Sequence, residues 1–343
     1  ELNVKNIFIS SETHYLKLKK RIKNKKIKIH NNLNNLQKVI KKKIDYTMCG
    51  ISGLAGLKPT IDAIKFSKTI AIANKESIIC GWQFIKNALR KNKTNFIPID
   101  SEHFSIWKLL KNENINNVKK IYLTASGGPF LNKKKSELTN IKPRYALKHP
   151  NWKMGKKISI DSATLMNKVF EVIEAKKIFE LDISKFKIII HPKSYVHAIV
   201  HFKNGLVKFL AHDTDMAIPI INSVYANDKT FSYKDDDLKF HLLNGLNFVN
   251  PDIKQFPVLK LINRIKNKPS YFETILISIN DILVDKYLRS EISYRTLNIN
   301  LMKLTKIPYF TRYYKSKPKN IIDIKIMVKK VNTYLNKIKF NEN

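Results

Sequence analysis

Asp100-Ser101-Glu102-His103 stands at the junction between an apolar run, residues 96–99, and an amphipathic run, residues 104–110. This order of patterns predicts a strand that passes directly into a helix. Two carboxylates separated by one residue on such a turn can bind one divalent cation through oxygen atoms. An acidic N-cap followed by Glu is also ordinary chemistry at the start of a helix, so the motif alone leaves both interpretations open.

The composition of the 343-residue chain is that of a folded protein. Hydrophobic residues make up 43% and charged residues 27% of it, and the length allows two or three domains. No apolar run approaches the roughly 18 residues that a membrane span requires, and the first residues do not resemble a signal peptide. Cys49 and Cys80 have neither metal-site spacing nor the density of a disulfide scaffold, which favours reduced thiols. We therefore expect a cytoplasmic protein with no membrane partner, and the bias toward Lys, Asn and Ile favours a bacterial one.

Lysine and arginine outnumber aspartate and glutamate by 64 to 27, which gives a net charge of +37. A nucleic-acid-binding protein would concentrate these charges on one face, with aromatic residues between them. The lysines are instead spread from end to end, as an AT-rich genome would produce, and we expect no nucleic-acid partner. The positive field would still help to recruit an anionic substrate.

Short apolar runs alternate with longer amphipathic runs over residues 4–99, which is typical of a parallel α/β sheet. We predict an α/β fold with three parts and a linker: a truncated, doubly wound Rossmann-like domain at 1–99, a mixed α/β domain at 100–225, a linker at 226–250 and a C-terminal α-helical bundle at 251–343. No GxGxxG sequence occurs, and Gly50, Gly53 and Gly56 do not have its spacing. Either the first part is not a dinucleotide domain, or its first strand and turn precede Glu1.

Two further strands are predicted to end in polar residues. The strand at 69–73 runs into Asn74-Lys75-Glu76-Ser77, and the strand ending at 125 runs into Ser126-Gly127-Gly128. Ligands bind at the carboxyl edge of α/β sheets, and glycine lets backbone N–H groups approach an anion. A helix cap and a tight turn would explain the same residues.

Residues 145–156 form a polar loop that contains His149-Pro150-Asn151-Trp152-Lys153-Met154-Gly155. An exposed Trp and Met between Pro and Gly suit a mobile flap that closes over a ligand. The alternative is that both side chains are anchored in the core.

A strand is predicted at 157–160, after which Asp161 or Ser162 would cap a helix. On that helix Asn167 and Glu171 share a face, with Lys168 beside them. Such a helix start suits a phosphate group, and Glu171 would supply a third oxygen to a cation held by Asp100 and Glu102. A surface Glu–Lys pair is the alternative. Farther on, His197 and His201 lack an evident third zinc ligand, so we expect exposed sheet histidines.

Together these motifs resemble the 1-deoxy-D-xylulose 5-phosphate reductoisomerase family along essentially the whole chain, most strongly over residues 71–192. The matching sequences, in order, are Ala73-Asn74-Lys75-Glu76-Ser77, Asp100-Ser101-Glu102-His103, Ser126-Gly127-Gly128-Pro129-Phe130, His149-Pro150-Asn151-Trp152-Lys153-Met154-Gly155, Asp161-Ser162-Ala163-Thr164-Leu165-Met166-Asn167-Lys168 and His191-Pro192.

The resemblance implies an NADPH-dependent oxidoreductase that isomerises and reduces 1-deoxy-D-xylulose 5-phosphate to 2-C-methyl-D-erythritol 4-phosphate in the non-mevalonate isoprenoid pathway. It implies Mg²⁺ or Mn²⁺, with Co²⁺ as another candidate, and a homodimer. Residues 1–99 would bind NADPH, and residues 100–225, with a flap at 145–156, would bind metal and substrate.

The resemblance also implies roles for individual residues. Asp100, Glu102 and Glu171 would hold a cation that acts as a Lewis acid on the substrate oxygens. The catalytic group would be Lys75, Asp100, Glu102, His149 and Glu171. The substrate contacts would be Lys75, Ser101, Glu102, Ser126, His149, Trp152, Ser162, Asn167, Lys168 and Glu171, of which Ser126, Ser162, Asn167 and Lys168 hold the phosphate and His149 closes on it. The cofactor contacts would be Asn74, Lys75, Glu76, Met154, Gly155 and Met216.

The chain departs from the family pattern in three places. The family's N-terminal glycine-rich turn, GxTGSIG, is absent, and we expect the first βα units to be missing with it, which leaves cofactor binding open. Val169 stands where Gly is usual, and Thr214 replaces a usual Pro. The alternatives are a member of the family that no longer turns over, a nucleic-acid-binding protein and a non-catalytic scaffold. The last two leave the spaced carboxylates unexplained.

Overall fold

The computed structural model describes residues 4–32, 36–226, 228, 230–233 and 237–340. The strands there are β1 Asn6–Phe8, β2 Lys28–His30, β3 Ile44–Cys49, β4 Ser67–Ile72, β5 Asn95–Pro98, β6 Val118–Ala125, β7 Phe186–Ile190, β8 Val196–Phe202 and β9 Val207–Ala211. The α-helices are α1 Glu12–Arg21, α2 Leu36–Val39, α3 Leu57–Ile64, α4 Lys75–Asn92, α5 Ser101–Leu109, α6 Pro143–Ala146, α7 Lys156–Ala163, α8 Met166–Phe179, α9 Ala217–Val224, α10 Phe240–Leu243, α11 Phe272–Leu288, α12 Tyr294–Leu304, α13 Pro308–Thr311 and α14 Ile321–Leu335.

The amino-terminal third contains two parallel sheets, as the alternation of apolar and amphipathic runs predicts. Strand β1 pairs with β2, and β4 lies between β3 and β5. Ile70 and Ala71 are neighbours on β4 and face opposite sides of the sheet, and both are fully buried, as expected for a parallel sheet that is covered on both faces. Since β4 and β5 are parallel neighbours, their carboxyl ends lie at one edge, and this places the starts of α4 and α5 side by side.

A mixed sheet of four strands follows, in the order β7-β6-β8-β9. Strand β6 is parallel to β7 and antiparallel to β8. The carboxyl ends of β6 and β7 therefore share an edge, and Ser126 and His191 follow there. Helix α5 packs on β8 and β9 and contacts α8, which brings the two predicted halves of the site together.

The strand predicted at 157–160 is wrong, because these residues belong to helix α7. The sequence Lys157-Ile158-Ser159-Ile160 alternates like a strand, but Lys157 pairs with Asp161 one helical turn later, at 3.7 Å, and α7 packs against α8 and α11. Asp161 consequently lies inside a helix, and neither it nor Ser162 is an N-cap. Helix α8 begins only after Leu165, which adopts a left-handed conformation with φ of 60°.

The carboxyl-terminal region is helical, and its helices share one hydrophobic core with the sheets. Helix α11 is buried along most of its length, and the cluster that contains it extends from Leu57 to Leu335. Within the predicted linker the described residues include α10 and a bridge between Ile190 and Val249. Parts of the predicted first domain, linker and C-terminal bundle lie outside the described residues, namely 1–3, 33–35, 227, 229, 234–236 and 341–343. The domain boundaries stay a prediction.

Among the described residues, none of the helices is both long and apolar enough to traverse a bilayer.

Candidate active site

Three carboxylates that are far apart in the chain meet in the structure. One carboxylate oxygen from each of Asp100, Glu102 and Glu171 lies within 4.8 Å of the others. Asp100 and Glu102 are supplied by the turn after β5 and the first turn of α5, and Glu171 by α8. The convergence predicted from the sequence is therefore confirmed as geometry, and the role of the group as a metal site stays a prediction.

Asp100 occupies the N-cap position of α5, but its side chain does not cap the helix. Its Oδ2 lies 2.5 Å from Lys75 Nζ and 3.3 Å from His103 Nδ1. An N-cap aspartate would accept a backbone N–H of the first turn. This carboxylate contacts the side chains of Lys75 and His103 instead of the backbone N–H groups of its own helix, which favours the interpretation as a site.

Two buried lysines lie among the carboxylates. Lys75 Nζ is 3.5 Å from Glu171 and 3.9 Å from Glu174, in addition to its contact with Asp100. Lys168 Nζ donates to Glu102 and lies 2.7 Å from Glu171. Four carboxylates thus face two ammonium groups and His103, whose pKa Glu174 and Asp100 raise to about 9 against the effect of burial. One carboxylate more than the cationic groups favours a further cation.

The pKa values reflect this crowding. Burial alone would raise the pKa of Asp100, but the charge of Lys75 and the hydrogen bond from His103 outweigh it and hold the pKa below its usual value. Burial would also raise the pKa of Glu102, but the charge of Lys168 outweighs it and lowers that pKa. At Glu171 burial and the charge of Glu102 prevail and raise the pKa to about 7. Glu171 is therefore the carboxylate of the three that takes up a proton most readily near neutral pH, and a bound cation would favour its ionised form.

A second layer of charge lies behind the first. His103 is fully buried, and its Nε2 lies 2.9 Å from the Glu171 carbonyl oxygen while its Nδ1 is 3.7 Å from Glu174. His103 thereby connects α5 to α8, the two helices that carry the three carboxylates. Sequence reasoning assigned no role to His103 or Glu174, although the spacing of three residues from Asp100 and from Glu171 places each on the same helical face.

The predicted phosphate residues lie beside this cluster. Ser126 Oγ is 2.9 Å from His149 Nε2. Ser126, His149 and Ser162 line one cavity together with the three carboxylates. Asn167 Nδ2 donates to Glu171 at 2.5 Å, and Lys168 bridges the carboxylates. Asn167 and Lys168 thus connect the predicted phosphate pocket to the carboxylate cluster.

His149 organises the loop that was predicted to be a flap. Its Nδ1 accepts the backbone N–H groups of Asn151 at 3.1 Å and Trp152 at 2.9 Å, so the proton of the neutral ring is on Nε2 and points to Ser126. Asn151 donates to the Pro192 carbonyl oxygen at 2.6 Å. The loop is therefore tied to the edge formed by β6 and β7.

The predictions that Trp152 and Met154 are exposed in this loop, and that the histidines of β8 are exposed, are partly wrong. Trp152 and Met154 are half-buried, and His197 is 2% exposed. The ring of His197 stacks on His212 at 3.7 Å and contacts Trp152 edge-on at 6.0 Å. Flap and sheet shield each other here, which the pattern of a single strand could not indicate.

The predicted cofactor residues also line the cavity. Asn74 caps α4 and also donates to the Gly53 carbonyl oxygen at 2.7 Å, so its amide orders the loop after β3. Glu76 is paired with Lys157 at 2.7 Å. Met154, Gly155 and Met216 lie along the wall, together with Gly50 and Ser52.

All of these groups surround one cavity of about 530 Å³. All the predicted site residues line it: Asn74, Lys75, Glu76, Asp100, Ser101, Glu102, Ser126, His149, Trp152, Met154, Gly155, Ser162, Asn167, Lys168, Glu171 and Met216. Ser101 Oγ donates to Glu102 at 2.6 Å inside it. The three oxygen donors fit a hard divalent cation such as Mg²⁺. Behind them Glu174 Oε2 accepts no hydrogen bond from the described residues and lies 3.7 Å from His103 and 3.9 Å from Lys75.

A parallel α/β sheet whose carboxyl edge carries converging acidic and basic side chains around a cavity defines the class of α/β enzymes that bind small ligands at that edge. Three family models match the chain: 1-deoxy-D-xylulose 5-phosphate reductoisomerase at residues 1–81, its C-terminal domain at 96–179, and the DXP reductoisomerase C-terminal domain at 212–332. The chain belongs to the 1-deoxy-D-xylulose 5-phosphate reductoisomerase family.

Similar proteins support this assignment along most of the chain. The 1-deoxy-D-xylulose 5-phosphate reductoisomerase of Pelagibacter ubique is 54% identical over 325 residues, which cover 94% of this chain and 83% of the relative. The reductoisomerase structure from Zymomonas mobilis in complex with NADPH is 30% identical, with a TM-score of 0.86, and the match covers 96% of this chain and 84% of that one. A structure of a reductoisomerase in complex with NADPH, fosmidomycin and magnesium is 28% identical, with a TM-score of 0.85. That match covers 97% of this chain and 85% of the other.

Proposed function

We propose that this protein converts 1-deoxy-D-xylulose 5-phosphate to 2-C-methyl-D-erythritol 4-phosphate with NADPH and a divalent cation. The observation that carries the proposal is the convergence of Asp100, Glu102 and Glu171 with two buried lysines in one cavity. Solved relatives contain NADPH and magnesium, which supports the choice of cofactors.

Asp100, Glu102 and Glu171 would hold Mg²⁺ or Mn²⁺. When bound, the cation supplies Lewis-acid polarisation of the substrate's carbonyl and hydroxyl oxygens. Lys75 and Ser101 border the same space, where their N–H and O–H groups would donate to the reacting oxygens. Because Lys75 is held 2.5 Å from Asp100, it stays charged and oriented before substrate binds.

Ser126, Ser162, Asn167 and Lys168 would bind the phosphate group. The ammonium of Lys168 is the charged member of this set, and the Nε2–H of neutral His149 is directed at Ser126. Binding energy from the phosphate, which does not react, would fix the position of the reacting carbons. Trp152, supported by His197, would exclude water as the flap closes.

NADPH would occupy the side of the cavity lined by Gly50, Asn74, Glu76, Met154 and Met216. The thioether side chains offer an apolar wall for a nicotinamide ring, and Asn74 orders the loop after β3 through Gly53. This placement brings the hydride donor beside the cluster of carboxylates, where the aldehyde intermediate of the reaction would lie.

The decisive test is Glu171→Gln in the whole chain, compared with Glu180→Gln. Glu180 lies at the end of the same helix and its side chain is 56% exposed. We expect Glu171→Gln to retain its circular dichroism spectrum, to lose Mg²⁺ binding in calorimetry and to lower kcat at least about a hundredfold. EDTA should abolish turnover by the wild type and by Glu180→Gln. Near-normal turnover of Glu171→Gln at saturating Mg²⁺ would remove Glu171 from the metal site.

We also propose that the protein is a homodimer and that it is located in the cytoplasm of a bacterium, since the relative from Pelagibacter ubique is bacterial. Leu206, directly before the edge strand β9, and Val207 and Phe209 within it are 58%, 56% and 48% exposed. An apolar edge of this kind favours coverage by a second copy. Phe209→Glu should lower the mass measured by light scattering to that of one chain. Ile322→Glu, at a position 65% exposed on α14, should leave it unchanged, and a wild type that is monomeric at all concentrations would contradict the proposal. Cell fractionation tests the location.

A further inference from the structure

Lys157 occupies a position that none of the assigned roles explains. It is the second residue of α7, directly after the loop that carries Trp152 and Met154. Its Nζ lies 2.7 Å from Glu76 on α4, 2.9 Å from Asp281 on α11 and 3.7 Å from Asp161 on α7. One ammonium group thus joins three helices at the point where the flap ends.

The contacts of Lys157 differ from those of an ordinary surface ion pair. The side chains of Asp161 and Glu76 are 4% and 17% exposed, and Asn280 holds the second oxygen of Asp161 at 2.7 Å. A lysine without these contacts would have many rotamers and little effect. Here Asp161 and Glu76 share one cation with Asp281, whose side chain is 41% exposed. Removal of the Lys157 ammonium leaves these three carboxylates facing one another.

Glu76 connects Lys157 to the reacting centre. It follows Lys75, and both residues lie in the first turn of α4, where Lys75 holds Asp100 at 2.5 Å. Because a helix turn is stiff, a fixed Glu76 also fixes Lys75. On the other side, Lys157 follows Gly155 by only two residues, so its position sets where the flap leaves α7.

We propose that Lys157 is a positioning residue that locks the end of the flap to the helix carrying Lys75. The proposal rests on the proposed function for the identity of the substrate, but the geometry of the lock does not. Lys157 lines the cavity, but its Nζ is paired with Glu76, Asp161 and Asp281. We therefore assign it a role through Glu76 and the flap and not a contact with the reacting atoms. Without it, the flap would close over the cavity from a wider range of orientations.

The test compares Lys157→Met with Lys177→Met. Lys177 also bridges two helices by pairing with a buried glutamate, Glu273, at 3.5 Å, but it lies on α8, away from the flap. Both variants should lower the melting temperature to a similar extent. Lys157→Met alone should raise KM for the sugar phosphate about tenfold or more, with a smaller change in kcat, because positioning is lost and the reacting groups remain. Lys157→Arg, which keeps the charge, should recover part of the loss.

Hydrogen exchange gives a readout that does not need turnover. Amides of residues 147–157 should exchange about tenfold faster in Lys157→Met than in the wild type, and Lys177→Met should match the wild type there. The double variant Lys157→Met/Asp281→Asn separates positioning from charge balance. It should recover melting temperature, since one repelling carboxylate is gone, and should not recover KM.

Two outcomes would overturn the proposal. The first is that KM and the exchange rates of the flap amides in Lys157→Met stay within twofold of the wild type. The second is that both quantities return to wild-type values in the double variant Lys157→Met/Asp281→Asn. The second would show that Lys157 only balances charge. A wild type without any turnover would instead overturn the proposed function, and the exchange data would still decide on the lock.

Discussion

His149 shows how the protonation of one residue connects the flap to its surroundings. Burial and the charge of Lys168 lower the pKa of His149 to about 4. The geometry agrees, because Nδ1 accepts two backbone N–H groups and so cannot carry a proton. A proton on Nδ1 would face the backbone N–H groups of Asn151 and Trp152 and would break both hydrogen bonds.

We therefore expect the flap to loosen as the pH falls. An unfolded histidine binds its proton near pH 6.5, and folded His149 only near 4, so the unfolded state binds more protons between these values. The stabilisation is complete above about pH 6.5 and is lost as the pH falls toward 4. Nitrogen chemical shifts should show a ring protonated on Nε2 at neutral pH. The pH dependence of unfolding between 4 and 6.5 should be weaker in His149→Gln, and an imidazolium signal from His149 at pH 6.5 would contradict the assignment.

At the scale of elements, the packing of α7 against the turn after β6 decides the shape of the cavity. Gly128 has φ of +67°, and a Cβ there would lie 2.8 Å from the backbone oxygen of Ser162. The fold therefore requires glycine at position 128, because the atom that a Cβ would meet belongs to the protein's own backbone and not to a ligand. The tight turn considered as the alternative for Ser126-Gly127-Gly128 is sufficient to explain this glycine.

Gly128→Ala should therefore cost more than backbone strain alone. Gly205 provides the control, since its φ is +89° and a methyl group added to its Cα would have no neighbour within 4 Å. Gly205→Ala should destabilise by about 1 kcal/mol, the cost of a left-handed alanine. Gly128→Ala should cost about 1–3 kcal/mol more and weaken substrate binding, because α7 carries Ser162 and must shift. Equal melting temperatures for the two variants would show that α7 yields without cost.

The order of strands and helices in the parallel sheets could be predicted from sequence, because apolar runs alternate with amphipathic runs there. The break between α7 and α8 could not, since it depends on a left-handed Leu165 that is 1% exposed and thus held by tertiary packing. Asp100, Glu102 and Glu171 could be matched through their motifs. Glu174 was missed although it follows Glu171 by three residues on one helical face. Lys157 was missed because Glu76 and Asp281 lie on other helices, where sequence spacing does not reveal them.

At the scale of the whole molecule, the net charge of +37 acts on an anionic substrate before any contact forms. The lysines are distributed along the entire sequence, so most of this charge lies far from the cavity. Distant charges act only where salt does not screen them, and the Debye length falls from about 30 Å at 0.01 M to about 8 Å at 0.15 M. The long-range part of the attraction should therefore disappear over this range.

We expect kcat/KM to fall several-fold as ionic strength rises from about 0.01 M to about 0.15 M, with a smaller change in kcat, because association is steered and chemistry is not. Two double variants distinguish local from distant charge. Lys329→Ser/Lys330→Ser, on α14, should lower kcat/KM only at low salt, whereas Lys153→Ser/Lys156→Ser, at the cavity, should lower it at both. A neutral osmolyte at matched osmolarity serves as the control for changes in solvent. If kcat/KM were independent of salt, or if the two double variants behaved alike at 0.15 M, the excess of lysine would have no role in substrate capture and would reflect composition alone.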